Sequence, residues 1–263
     1  MLMMQKMILI VWPILMAFGC VADRFIYDLN TPDRTMKLSS ELNEISGLEM
    51  ISDSVIATVQ DEKGKIYILD LESGKIKDHF DFGKKGDYEG ITHYKNHFYV
   101  LRSDGTIYKV KRGKDAKTYH FKNSKNFDFE GLCLDQKNKR LLVACKTHGD
   151  KKKRKYFYIY SFSLEQKEFD DKPVFKILKE DIDKDFKPSG IAIHPNGHIY
   201  ILSSFAKRLL VLSRKGEIVN QVKLNKSLFH QPEGITFTRL GDLFISNEKN
   251  DYTPTILRFK EKK

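Results

Sequence analysis

The sequence predicts an all-β protein, a single β-propeller of five four-stranded blades whose last blade is closed by an N-terminal strand. Three observations carry that prediction. A short phrase recurs five times, as Glu44-Ile45-Ser46-Gly47-Leu48, Tyr88-Glu89-Gly90-Ile91, Phe129-Glu130-Gly131-Leu132, Pro188-Ser189-Gly190-Ile191 and Pro232-Glu233-Gly234-Ile235. Its glycines lie 43, 41, 59 and 44 residues apart, a period characteristic of propellers and solenoids. Each full repeat holds short runs rich in Ile, Val, Tyr and Phe separated by turn residues, the pattern of an antiparallel meander. Sustained 3.6-residue apolar periodicity is absent from the body, so almost no helix is expected.

Taken in order, the first repeat offers strands at 47–51, 54–59, 65–71 and 76–82, with the Ser52-Asp53 turn closing the first hairpin. The second offers 90–94, 97–102, 106–111 and 118–121, making one blade in about 40 residues. In the third, 131–134, 140–145, 156–164 and 174–178 are separated by two inserts, one basic (151–155) and one acidic (180–187). The fourth gives 190–193, 199–203, 208–212 and 217–224 around a Pro195-Asn196-Gly197 turn. The fifth has only 234–237, 242–246 and 255–259 before the chain ends. An open ring would leave an unpaired edge, so the missing outer strand is expected from 25–29 or 36–38. A sixth, degenerate blade from residues 22–45 is the alternative.

Residues 1–19 form a separate object: Lys6, an apolar run from Met7 to Phe18, then Gly19 before Cys20. The run is short for a membrane span but fits the apolar core of a secretory signal. Cys20 after Ala17-Phe18-Gly19 resembles a bacterial lipobox, in which the cysteine is lipidated and becomes the mature N-terminus; a plainly cleaved signal and an uncleaved anchor are the other readings. The organisation is then a signal peptide at 1–19, lipidated Cys20 with a linker and closing strand at 20–40, and the propeller at 41–263. The expected location is the cell envelope, outside the cytoplasm and tethered to a membrane.

The two remaining cysteines fall on one hairpin. With Asp135 and Arg140 flanking its turn, Cys133 faces Leu142 and Cys145 faces Glu130, out of register for a disulfide, so two buried free thiols are expected. Net charge is +11. An exported protein rarely meets nucleic acid, so anionic headgroups, glycans or a phosphorylated small molecule suit this charge better. A monomer is expected.

In a propeller blade the start of the first strand and the end of the second lie at one face, beside the central channel. That rule gathers Glu44, Glu89, Glu130, Ser189 and Glu233 from strand starts. From strand ends it gathers Gln60, Asp61, Arg102, Asp104, Lys146, Thr147, Ser203, Ser204, Asn247 and Glu248. Converging carboxylates repel unless neutralised, and Ca²⁺, which takes six to eight oxygen ligands, neutralises them well. A Ca²⁺-type site is expected at Glu89, Glu130, Glu233 and Asn247, with Glu44. Arg102, Asp104, Lys146, Ser189, Ser204 and Glu248 are the expected ligand-binding residues. The competing reading has each Glu bracing the next blade through backbone N–H groups or partners such as Arg102 and Lys146. The run Asp181-Ile182-Asp183-Lys184-Asp185 opens like a calcium loop, but Phe186 stands where that loop requires Gly. His93 and His97 lie in a hairpin without a metalloprotease Glu. No Gly-x-Ser-x-Gly elbow and no phosphate-cradling loop is present.

The Glu-Gly-Ile/Leu phrase, Lys187-Pro188-Ser189-Gly190-Ile191-Ala192-Ile193-His194-Pro195 and Ile199-Tyr200-Ile201-Leu202-Ser203-Ser204 resemble the SdiA-regulated family of bacterial envelope β-propellers over residues 40–250. The resemblance implies an exported or membrane-associated propeller with a metal-bearing channel face, its acidic positions being Glu89, Glu130 and Glu233. Ser189 departs from that acidic pattern. Function is therefore expected to be binding of a cation and a ligand at the channel mouth. A calcium-dependent hydrolase of a lactone or phosphoester and a protein-interaction scaffold are the alternatives.

Overall fold

The computed structural model describes residues 25–122 and 124–262, so the signal segment and Cys20 lie outside the described residues. The first strand, β1 (Arg34–Lys37), precedes the repeats. Blade one is β2 (Ile45–Ser52), β3 (Val55–Gln60), β4 (Lys65–Asp70) and β5 (Ile76–Asp81). Blade two is β6 (Tyr88–Tyr94), β7 (His97–Arg102), β8 (Thr106–Val110) and β9 (Lys117–His120). Blade three is β10 (Asp128–Asp135), β11 (Arg140–Thr147) and β12 (Tyr156–Ser163), with its outer strand split into β13 (Glu168–Phe169) and β14 (Phe175–Leu178). Blade four is β15 (Gly190–Ile193), β16 (Ile199–Ser203), β17 (Arg208–Leu212) and β18 (Ile218–Lys223). Blade five is β19 (Pro232–Phe237), β20 (Leu243–Asn247) and β21 (Thr255–Phe259), with β1 added antiparallel to β21 from Arg34↔Arg258 to Lys37↔Thr255.

The ring therefore has five blades and is closed by the N-terminal strand. Of the two segments expected to close it, Met36 and its neighbours supply the strand, and residues 25–29 form none. The outer slot on β21 admits one strand, and residues 25–29 serve packing instead. Tyr27 and Leu29 are buried in the cleft between blades four and five, where Tyr27 meets Tyr200 and Phe237 and donates its hydroxyl to the Gly241 carbonyl. The acidic insert likewise packs, through Ile182 and Phe186, and Asp183 pairs with Arg208 at 2.9 Å.

The apolar residues form interblade cores. Met36, Leu42, Ile45, Leu48 and Phe244 fill the junction of blades five and one, and Ala57, Val59, Ile91 and Val100 that of blades one and two. The repeat glycines show why blades pack this closely. A Cβ on Gly47 would lie 2.6 Å from Ile91 N, one on Gly190 2.4 Å from the Glu233 carbonyl, and one on Gly234 2.3 Å from the Ser46 carbonyl. The inner strand of each blade thus sits hard against that of the next, and the last against the first.

The inner hairpins also carry the device that shapes the mouth. In blade two the pairing runs Tyr88↔Arg102, then Gly90↔Leu101, leaving Glu89 as the extra residue of a β-bulge. In blade three Glu130 is extra between Phe129↔Cys145 and Gly131↔Ala144, and Lys146 is extra on the facing strand, between Thr147 and Cys145. Blades one and five shift register at Ser46-Gly47 and Glu233-Gly234. Blade four, with Ser189, pairs Gly190↔Leu202 without a shift. The bulge at Glu130 corrects one register: Cys145 faces Phe129 rather than Glu130, whereas Cys133 faces Leu142 as expected. Both thiols are free and buried.

Candidate functional site at the channel mouth

A bulge turns one residue out of the ladder, so the bulged acids leave the blade and converge at one end of the channel. Glu130 pairs with Lys146, whose ammonium also lies 3.9 Å from Asp128. The same ammonium interacts electrostatically with Glu89 and Glu233. Lys146 thus occupies the middle of three expected metal ligands and supplies positive charge that the sequence reading assigned to a cation. Burial, and then the neighbouring Glu130 and Asp87, push the Glu89 carboxyl far up, and burial pushes Glu130 up against the opposing pull of Lys146. Burial also raises Glu233, to about 7, although Lys146, Ser204, Lys207 and Gln231 favour its charged form.

A second group forms where blade five meets blade one. Glu44, Asp61 and Glu248 each offer a carboxylate oxygen, and these oxygens lie within 4.8 Å of one another. Asp61 N–H donates to the Glu44 carbonyl at 3.0 Å, Glu248 N–H donates to the Gln231 carbonyl at 2.9 Å, and the Gln231 amide donates to the Glu248 carboxylate. Burial raises Asp61 to about 6, with Glu44, Asp87 and Glu62 adding repulsion. Glu248 is raised by burial, then by its hydrogen bond to Glu44 and by the charges of Glu233, Glu44 and Asp61. No cationic side chain appears among the largest influences on either group, and Asp61 Oδ1 is buried without a hydrogen-bond partner among the described residues.

Between these groups and blade four opens a cavity of about 390 Å³, lined by Glu130, Lys146, Lys187, Lys207, Gln231 and Glu233 together with Ser189, Ser204 and His230. Its rim is aromatic: Phe205 is exposed beneath the Lys187 ammonium, and exposed Tyr252 stacks on His230 at 3.9 Å.

Other expected residues are held by hydrogen bonds within the protein. The Asn247 amide donates to the Leu228 carbonyl and the Thr255 hydroxyl, both at 3.2 Å, and its Oδ1 is buried without a hydrogen-bond partner among the described residues. Arg102 and Asp104 form a closed pair at the β7–β8 turn, with Arg102 Nη2 2.6 Å from Asp104 Oδ2 and Arg102 Nη1 donating to Tyr108 at 2.9 Å. Ser189 ties blade four to blade five: its hydroxyl donates to the Pro232 carbonyl at 2.8 Å and accepts from Ser204 N–H at 3.1 Å. Sequence reasoning missed Asp87, Asp128, Lys207 and Gln231. Asp87 and Asp128 each stand one residue before a repeat phrase, which was a usable signal; Lys207 and Gln231 gave none.

A family model described as SdiA-regulated matches residues 33–253. The chain belongs to the SdiA-regulated family. No curated protein matches the sequence. Among solved structures, this SdiA-regulated propeller is similar to glutaminyl cyclase from Myxococcus xanthus (14% identity, TM-score 0.64, covering 88% of this chain and 95% of that one). It is also similar to the PQQ-bound aldose sugar dehydrogenase of Streptomyces coelicolor (12%, TM-score 0.57, 88% and 97%) and to a luciferin-regenerating enzyme (12%, TM-score 0.54, 88% and 95%). At such identities the likeness is one of fold. The metal that the family resemblance implies can be tested against the residues of this SdiA-regulated chain. The three-carboxylate group has the all-oxygen donor set, the mutual repulsion and the orphaned buried oxygen that a hard cation would satisfy. In the group of Glu89, Glu130 and Glu233 the Lys146 ammonium already supplies one positive charge.

Proposed function

We propose that this protein is an extracytoplasmic ligand-binding propeller that holds a Ca²⁺-type cation at Glu44, Asp61 and Glu248 and binds an anionic small molecule in the adjoining mouth cavity. The observation that supports this reading best is the carboxylate group at the junction of blades five and one, gathered within 4.8 Å without a cationic partner among the described residues. The ammonium groups of Lys146, Lys187 and Lys207 around the cavity favour a carboxylate or phosphate ligand over a neutral one. The lipid anchor belongs to the same proposal. Phe25 lies beside Asn196 and His198, at the end of blade four opposite the mouth. A lipid on Cys20, at most about 18 Å of extended chain upstream, would hold that end toward the membrane and leave the mouth facing away.

The test is calcium titration followed by thermal melting. Saturating Ca²⁺ at about 100 times its Kd is expected to raise Tm by about 5 °C. Asp61→Asn with Glu248→Gln should abolish that rise while Tm without Ca²⁺ stays level or increases, because the repulsion is gone. If the double variant retains the full calcium response, the site is misassigned.

One observation favours a hydrolytic reading. Glu233 sits in the cavity with a carboxyl raised to about 7, the range in which a general base works at neutral pH. Product release from a lactone or phosphoester panel separates that reading from binding alone.

A further inference from the structure

The opposite end of the channel carries its own chemistry, independent of the mouth. Two residues beyond each repeat glycine the chain places Glu49, Thr92, Cys133, Ala192 and Thr236. Four of these are small and uncharged; Glu49 alone brings a carboxylate into the channel wall, where an unpaired charge is costly. Packing does not require it, since the other blades do without. Its Oε1 accepts the His93 backbone N–H at 3.0 Å, and no cationic side chain offsets it among the influences on its charge. Lys146 does that for Glu130 at the mouth; among the described residues no cationic side chain forms an ion pair with Glu49.

Space accompanies the charge. A cavity of about 500 Å³ opens onto Glu49. It shares Glu49, Met50 and Phe237 with a narrower hollow of about 180 Å³ walled by Leu48, Leu132, Ile191 and Ile235. Arg239, Lys95 and Gln136 stand at the opening, and Arg239 is exposed. A recess with one inner carboxylate, aliphatic walls and a rim on which Lys95 and Arg239 outnumber the single carboxylate of Asp53 suits a particular shape of ligand. We infer that this end of the channel is a second binding site, for a small organic ammonium ion with an apolar body, whose nitrogen pairs with Glu49. The rim cations select against a second positive charge and favour a neutral or anionic far end, so a monoamine or an ω-amino acid fits and a polyamine does not.

Proton balance supports this assignment. The groups facing Glu49 are the Thr92 hydroxyl, His93, the Cys133 thiol, Asp53, and the rim cations Lys95 and Arg239. Burial keeps His93 below its usual range and Cys133 well above its own, so neither carries charge at neutral pH. Burial raises Glu49 itself to about 8. An arriving ammonium therefore meets a largely protonated carboxyl, forms the ion pair and releases that proton to solvent. Binding should tighten as pH rises toward about 8.

The experiment is calorimetry at about pH 8 with hexylammonium, 6-aminohexanoate, spermidine and hexanoate on the full-length protein. The first two are expected to bind, the last two at least ten-fold more weakly. Glu49→Gln should cut affinity for both amines at least ten-fold. Arg239→Glu, a substitution at an exposed position, should weaken 6-aminohexanoate relative to hexylammonium. Undiminished amine binding in Glu49→Gln, equal binding of hexanoate, or no binding of either amine at about 10 mM would overturn the assignment.

Discussion

A chain begun at residue 39 is expected not to fold, whereas one begun at residue 25 folds as a monomer. The shorter chain loses β1 and exposes the edge of β21, a template for pairing with other molecules. It also loses the buried side chains of Tyr27, Leu29, Met36 and Leu38. At about 1.5 to 3 kcal/mol each their burial sums to about 6 to 12 kcal/mol, as much as the whole stability of a typical domain. Size-exclusion chromatography and circular dichroism of the two chains check this. A soluble, cooperatively melting protein from residue 39 would show that ring closure matters far less than the core contacts imply.

The second large effect is expected at Lys146. Replacing it with methionine leaves Glu130, whose side chain is 7% exposed, without its partner, and removes the charge that Asp128, Glu89 and Glu233 share. Removing one member of a buried pair costs about 3 to 5 kcal/mol. The partial exposure of the lysine reduces this to about 2 to 4 kcal/mol. The sign with pH is specific. The folded-state value of Glu130 is already raised, and without Lys146 it rises further. The cost should therefore be small below the ordinary Glu range near pH 4.5 and grow as pH climbs through the folded value. Urea melts of Lys146→Met at about pH 5 and pH 8 measure it. A pH-independent loss would point to packing rather than charge.

Period and strand content made the ring legible. Glycine spacing gave the blades, and the short fifth repeat required closure from the N-terminus. The face rule placed Glu44, Glu89, Glu130 and Glu233 together because antiparallel hairpins leave no other geometry. What stayed hidden depended on one-residue events and long-range closure. No residue type announces a bulge, so the pairing of Glu130 with Lys146 stayed one of two competing readings of the acids. Glu44 and Asp61 meet Glu248 only because the chain's two ends join in the ring. Ser189 departs from the acidic pattern, and its hydroxyl ties two blades at the only inner hairpin whose register does not shift. Residues 25–29 read as a strand because aromatic residues suit both strands and buried plugs. Glu49 is the only charge in its column of the repeat, but that column lies two places beyond the glycines that mark the period.

The central claim is that Glu44, Asp61 and Glu248 form a cation site in which burial and repulsion keep Asp61 and Glu248 partly protonated. Both Asp61 and Glu248 have raised folded values, so their contribution to stability is complete below the ordinary carboxylate range and is lost as pH rises through those values. A cation should reverse that loss by displacing the protons. The direct measurement is proton release during calcium binding, read by calorimetry at about pH 6.5 in two buffers of different ionisation enthalpy. The account predicts one bound Ca²⁺ per chain with net release of about one proton, falling as pH rises and absent from the Asp61→Asn, Glu248→Gln variant. Calcium binding without proton release, or with the same release in that variant, would contradict it.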